Sequence, residues 1–437
     1  MSAQIVFLTL FLGIVSGSHP VSLQVSGPVK TVRMMLGTRQ VAVLTQPPWR
    51  ATIDFERELA PRELTAVGFD ENGREIARAT QVLNLPRPIA EFDIALERDG
   101  SAPPTGAVLR WRHLMNVPPK SAKMSLDGKP IALDKTLHAK LPKLDLETPH
   151  VLAAELLFGD GFLARRELVI ESVRSDSVGT ELTPIAVRET AAQHPASWDG
   201  CLVNPGGRAV RTAAIEKPRA LLIVVRDVDE RAVREVLDVA ARAPAARGES
   251  LRHYLSLDKG TVMRMLWPVG ARFENPENAT SLLFVPSQDF DATDTGMMRF
   301  LTVGGPLPEE ESSPRFADAV AVAGVRAVTG SQRRAVVYML SRTSDASRND
   351  PAAVRRYLVS LGVPLFVWSI AGPRSDVAAT WGPVEDVSSL PKLGAAVNRV
   401  RRTLEEQRIA WVDVDPLTAL RLKANASCGI EMLTVDR

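Results

Sequence analysis

From Val21 onward, apolar and polar residues alternate in short runs that end at turn formers. Val21-Ser22-Leu23-Gln24-Val25 alternates, the run 31–36 follows Gly27-Pro28, and Val41-Ala42-Val43-Leu44 stops at Pro47-Pro48. The alternation resumes over 51–55 and 64–69 and, after the Asn72-Gly73 turn, over 75–77. A period of two places every second side chain on one face of a strand. Short strands at this spacing, with no amphipathic helix of useful length, predict an all-β sandwich with Trp49 anchored in its core.

The plan is repeated between about Ala90 and Ser172. Pro61, Leu64, Ala66, Phe69, Asn72-Gly73 and Ala77-Arg78 are answered by Pro149, Leu152, Ala154, Phe158, Asp160-Gly161 and Ala164-Arg165. Arg39-Gln40-Val41-Ala42-Val43 is likewise answered by Lys129-Pro130-Ile131-Ala132-Leu133. A turn, an aromatic and a following strand at nearly constant spacing mark an internal repeat. Two sandwiches are therefore expected, over 19–88 and 89–175, joined by the stiff segment Asn84-Leu85-Pro86-Arg87-Pro88.

After Ser172 the pattern changes. A segment with Pro, Gly and Arg, 176–218, reads as irregular linker. The continuous apolar run Leu221-Leu222-Ile223-Val224-Val225 then suits a strand buried on both faces. Helices are expected over 231–242, 315–327 and 351–361, the last opened by Pro351. Strands are expected over 334–340 and 363–369, with further strands of the same sheet around 263–267 and 282–285 and with Trp267 buried. Strands alternating with helices predict an α/β doubly wound, Rossmann-like domain over 219–437, whose ligands sit beyond the carboxyl ends of the strands. Asp289, Asp291 and Asp294 lack the central Gly and terminal Glu of a calcium loop and are expected to cap a following helix.

Ahead of the first sandwich, Ile5 to Val15 is an apolar run of signal-peptide length, followed by Ser16-Gly17-Ser18. A signal peptide over 1–18, cleaved near Ser18, is expected; the other reading of the run is a buried N-terminal strand. No later stretch reaches the apolar length of a transmembrane helix, so no membrane span is expected after cleavage. The product would be exported to the periplasm, the cell surface or the medium. The 437 residues carry 53 basic and 51 acidic side chains, a net charge of +2, which disfavours a polyanion-binding surface. Arg399, Arg401, Arg402 and Arg408 are interrupted by Glu405 and Glu406 and read as a solvated helix face, so no nucleic-acid partner is expected.

The strand, acidic loop and helix at 221–242, the segment Ala317-Asp318-Ala319, the strand 335–340 with Ser341, Asp345-Ala346-Ser347-Arg348, Val354-Arg355-Arg356-Tyr357-Leu358 and the run 361–369 together resemble a von Willebrand factor A-type domain. The similarity is to the von Willebrand A-related exported proteins of bacteria and covers about half the chain. In pattern, the two sandwiches resemble bacterial immunoglobulin-like domains. The resemblance implies a metal-ion-dependent adhesion site, in which hard oxygen ligands hold Mg²⁺ and leave one position for a partner's carboxylate. Asp227 matches the first Asp of that site, but its two Ser positions are Asp229 and Arg231. The Thr position falls near Pro314, beside Ser312 and Ser313, and the Asp after the fourth strand is Arg342, next to Ser341. An arginine has no acceptor for a cation. The implied site is therefore degenerate. Asp227 or Asp229 would pair with Arg342, or Asp227, Asp229, Glu230 and Asp345 would converge on an altered Ca²⁺ or Mg²⁺ site. No cofactor is expected under the first reading.

Cys201 and Cys428 bracket the A-type region, which in an exported protein predicts a disulfide between them; two separate thiols are the other reading. The six histidines show no metal-binding spacing, and no nucleophile elbow, phosphate loop or dinucleotide fingerprint appears. The expected function is an exported, non-enzymatic protein-binding or adhesion module, independent of metal. The alternatives are an exported hydrolase with unrecognised catalytic residues and an envelope structural protein that associates with itself.

Overall fold

In the computed structural model the described residues are 3–11, 13–85, 90–98, 103–113, 116–145, 148–159, 162–170, 178–190, 198–227, 257–275, 278–291, 305, 313–340, 344–372, 374–423 and 428–433. Strands dominate them. The first sandwich comprises β1 (Gln4–Phe7), β2 (Ser18–Ser26), β3 (Thr31–Leu36), β4 (Arg39–Leu44), β5 (Arg50–Asp54), β6 (Arg62–Phe69) and β7 (Glu75–Leu83). They form two antiparallel sheets in the orders β1-β2-β5 and β4-β3-β6-β7. Alternation becomes burial here: Val32, Met34 and Leu36 of β3 and Leu64 and Ala66 of β6 turn inward. Trp49 packs half-buried at the margin of this core.

The second sandwich comprises β8 (Ala90–Glu97), β9 (Gly106–His113), β10 (Pro119–Leu126), β11 (Lys129–Ile131), β12 (His138–Lys140), β13 (His150–Phe158), β14 (Leu163–Ile170) and β15 (Val178–Glu181). Its sheets run β11-β10-β13-β14-β15 and β12-β9-β8. The repeat is visible in three dimensions. Leu152, Ala154 and Phe158 of β13 are buried, as Leu64 and Ala66 are at the matching places of β6.

In the chain that retains the segment read as a leader, residues 4–7 form β1, which pairs with β2 from Gln4↔Ser26 to Phe7↔Leu23 and buries Ile5 and Phe7, the arrangement of the other reading of this run. The buried amides of Gln81 and Asn84 take up the main chain that follows. Phe11 N donates to Gln81 Oε1 at 2.8 Å, and Val15 N donates to Asn84 Oδ1 at 2.7 Å.

The span read as linker, 176–218, carries five strands among its described residues, which corrects that expectation: β15 belongs to the second sandwich, and the others are β16 (Thr183–Glu189), β17 (Leu202–Val203), β18 (Ala209–Val210) and β19 (Thr212–Glu216). These pair with the far end of the chain, β28 (Gln407–Val412), β29 (Arg421–Leu422) and β30 (Ile430–Met432), in the sheets β19-β28-β16-β30 and β18-β17-β29. The two small sheets share a core of Val187, Leu202, Val210, Ala410, Val412 and Ile430. Within that core Cys201 and Cys428 are bonded, with an S–S distance of 2.08 Å across 227 positions of sequence. Closing so long a loop removes unfolded-chain entropy of about 5 kcal/mol in the simple chain model.

Between these two chain segments lies an α/β unit. Its strands are β20 (Ala220–Val225), β21 (Thr261–Leu266), β22 (Gly270–Asn275), β23 (Asn278–Leu283), β24 (Phe290–Asp291), β25 (Arg333–Leu340), β26 (Leu365–Ser369) and β27 (Val384–Asp386). Six of them form one sheet in the order β24-β21-β20-β25-β26-β27, parallel except for β24. All six residues of β20 are buried, as a strand covered on both faces requires. The segment 282–285 does not join this sheet, because β23 pairs with β22 in a separate hairpin. The described helices of this unit are α1 (Phe316–Val328), α2 (Pro351–Ser360), α3 (Ser375–Trp381) and α4 (Leu390–Glu406). The helix expected over 231–242 lies outside the described residues.

The units are tied by specific contacts. Gln407, fully buried at the start of β28, accepts from Arg334 N at 2.5 Å and donates to Arg334 O at 3.1 Å, joining the small sheets to β25. Arg165 of the second sandwich binds Glu216 at 2.8 Å and stacks over Trp411 at 5.1 Å. None of the described helices is long and apolar enough to cross a membrane.

Candidate functional site

The carboxyl edge of the parallel sheet is built from the ends of β20, β25 and β26 and the amino terminus of α1. The chain leaves β20 through Arg226 and Asp227. Arg226, buried to 1% exposure, folds back so that Nη1 donates to the Asp227 carbonyl at 3.2 Å. The expected partner Arg342, and with it the pairing with Asp227 or Asp229, lies outside the described residues. Sequence reasoning passed over Arg226 because it ends an apolar run where an exposed arginine is the usual outcome.

Asp345 turns back onto α1. Its Oδ1 accepts from Phe316 N at 2.8 Å, Ser347 N at 3.0 Å and Ser347 Oγ at 2.6 Å, and its Oδ2 accepts from Ala317 N at 3.2 Å. The first amides of a helix have no partner within the helix and carry the positive end of its dipole, so a carboxylate there is held by hydrogen bonds and by the field. Arg315, the residue preceding α1, makes no side-chain cap of its own, and Asp345 serves in its place from 28–29 residues downstream. Four donors on one carboxylate occupy most of the lone pairs that a hard cation would use.

Asp318 completes the loop. At 3% exposure it accepts from Arg315 Nε at 2.7 Å, Arg348 N at 3.1 Å, Asn349 N at 3.0 Å and Asn349 Nδ2 at 2.6 Å. Burial of this carboxylate is offset by the arginine and three neutral donors. Ser16 of the first sandwich reaches the same loop, with Oγ donating to Asn349 Oδ1 at 2.8 Å. In the sequence Asp318 is one residue of the segment Ala317-Asp318-Ala319, and its place in a helix's first turn is the signal available there.

Tyr338 lies near the end of β25. Burial first, and then the Asp345 and Asp227 carboxylates, push its phenol up from the ordinary value of 10.0, while Arg374 pulls the other way. The ring packs on Trp381 at 4.8 Å and on Phe316 at 5.8 Å between centroids. Asp227 and Asp345 both act on this phenol through their charge. Asp229, Glu230, Ser341 and Arg342 lie outside the described residues, as do Arg231 and Ser312. Among the described residues, no three His, Cys, Asp or Glu side chains gather as a metal-binding group. Asp289 is bound by Arg264 at 2.6 and 3.0 Å, whereas Asp294 and the segment in which the capped helix was expected lie outside the described residues. Trp267 is buried.

No family model and no curated protein matches the chain. Among solved structures, the chain is similar to the fibronectin(III)-like modules of CbhA from Clostridium thermocellum, at 15% identity and a TM-score of 0.16 over 39% of this chain and 96% of that one. It is similar to the VWA domain of SpRpn10, at 13% identity and a TM-score of 0.26 over 42% of this chain and 95% of that one. A third likeness, to proximal thread matrix protein 1 of the mussel byssus, has 13% identity and a TM-score of 0.28 over 48% of this chain and 50% of that one. At these scores the architecture stands on strand order and register, which give two β-sandwiches and an α/β unit whose flanking chain segments form two small sheets.

Proposed function

We propose that the protein is an exported, non-enzymatic adhesion or protein-binding module. Its immunoglobulin-like sandwiches carry a von Willebrand A-like unit that engages a protein partner without a bridging cation. The observation that carries this reading is the use of Asp345. In the adhesion site that the resemblance implies, the loops at this edge supply oxygens to a metal, whereas here that carboxylate organises the start of α1 and fixes the loop that carries Arg348. A loop held by internal bonds meets a partner with little ordering cost, so recognition would rest on side chains such as exposed Arg348.

The test is capture of the partner from the envelope fraction of the source organism on immobilised full-length protein. Capture is expected to be unchanged in EDTA and lost with Arg348→Glu. Loss of capture in EDTA, restored by Mg²⁺, would overturn metal independence. Capture indifferent to Arg348→Glu would move the interface off these loops.

A further inference from the structure

An opening lies away from the carboxyl edge, at the amino end of the parallel strands. There the second sandwich, the small sheets and the α/β unit meet around a cavity of about 1070 Å³. That is just above the ~300–1000 Å³ typical of small-molecule sites. Phe92, Leu163, Leu182, Leu361, Trp411 and Leu433 contribute an apolar wall.

One cation belongs to this wall. Arg334, at the start of β25, lines the cavity and is 2% exposed. Its guanidinium is held at the end of α2, where Nη2 and Nε lie 3.3 and 3.4 Å from the carbonyls of Leu361 and Gly362. Gly362, at φ +60°, supplies the left-handed residue that ends the helix and frees those carbonyls to face the arginine. Nη1 has no hydrogen-bond partner among the described residues. Burial lowers the pKa to about 10, and no acidic side chain opposes that shift. A desolvated guanidinium without a carboxylate is a costly thing to keep in an apolar wall, where Met or Leu would pack at no electrostatic penalty. Its planar fork matches a carboxylate.

We propose that this cavity binds a small amphiphilic carboxylate, with the acid group on Arg334 and the hydrocarbon chain along the apolar wall. The site is separate from the protein-binding loops, and its failure would leave that reading untouched.

The test is calorimetry on the full chain with octanoate, octan-1-ol and dodecanoate, each below its micellar concentration. Octanoate is expected to bind about tenfold more tightly than the alcohol of equal length, and dodecanoate more tightly again. Arg334→Gln should bring octanoate down to the level of the alcohol and leave the alcohol unchanged. Ser360→Trp, at an exposed position on the rim, should weaken all three by filling the opening. Should Arg334→Gln lose its fold by circular dichroism, the acid-to-alcohol ratio in the parent chain and the Ser360→Trp result decide. Equal affinity for acid and alcohol, no heat from octanoate at millimolar concentration, or indifference to Ser360→Trp would overturn the proposal.

Discussion

The Tyr357 hydroxyl donates to the main-chain carbonyl of Asn84 across 2.7 Å, and the Asn84 side chain in turn holds both the amide and the carbonyl of Val15. One buried phenol of the α/β unit thereby fixes the end of β7 and the segment that leads into β2. Tyr357→Phe keeps the ring and strands a buried carbonyl, at an expected cost of about 1–2 kcal/mol. Hydrogen exchange should accelerate at residues 13–17 and 81–85 while β13 and β14 remain unchanged. Uniform acceleration throughout the chain would show that the bond does not act locally.

Asp345→Ala should destabilise the α/β unit by about 1 kcal/mol through loss of the carboxylate at the start of α1. The urea midpoint of that unit should fall equally with and without millimolar Ca²⁺ or Mg²⁺. Calorimetry of either ion with the parent chain should give no heat. A cation that raised the parent midpoint and not that of the variant would place Asp345 among metal ligands.

The second sandwich should respond to pH through His150. Its Nδ1 lies 2.8 Å from Asp127 Oδ2 and its Nε2 lies 2.8 Å from the Asp145 carbonyl, so both nitrogens donate only in the imidazolium. The hydrogen bond to Asp127 is the main cause that raises the His150 pKa above its ordinary 6.5, and the same bond lowers the Asp127 pKa below 3.8. A raised histidine contributes stability that is complete below pH 6.5 and is lost as pH rises through the folded value; the lowered aspartate contributes above 3.8 and loses its effect as pH falls through its own folded value. The melting temperature of the second sandwich should therefore decline on the alkaline side of pH 6.5. His150→Gln should flatten that decline, and a variant with the parent's slope would exclude His150 as its source.

Signals confined to neighbouring residues were legible in the chain. Alternation in Val32, Met34 and Leu36 gave a strand face, the unbroken Leu221–Val225 run gave a doubly covered strand, and Pro351 marked the first residue of α2. The small sheets were not legible, because their pairings join distant residues such as Ile185 and Ala410. Thr183–Glu189 contains a Pro and two charged residues, and only its partner β28 makes it a strand. The site was half legible for the same reason. Asp227 could be placed by the strand before it, whereas the role of Asp345 depends on a helix that begins 29 residues earlier.

Export is testable at the first residues. Val6, Leu8 and Leu10 are 41%, 59% and 56% exposed, an apolar outer face that a retained edge strand would normally carry as charges. Passage through a secretory route is expected to remove the segment, and the intact mass of the exported protein should place its start near Ser18. A mass that still includes Met1 would argue for β1 as a permanent strand.

The bond between Cys201 and Cys428 has a mechanical consequence. The two half-cystines bracket the α/β unit, with β16 of the supporting sheets before Cys201 and β30 after Cys428. Tension applied between the sandwiches and the segment beyond Cys428 would travel through two sulfur atoms and bypass the 226 residues between them. The binding loops would then keep their shape under a load that extends everything in series with them, and a reducing agent would turn a shielded unit into the first element to yield.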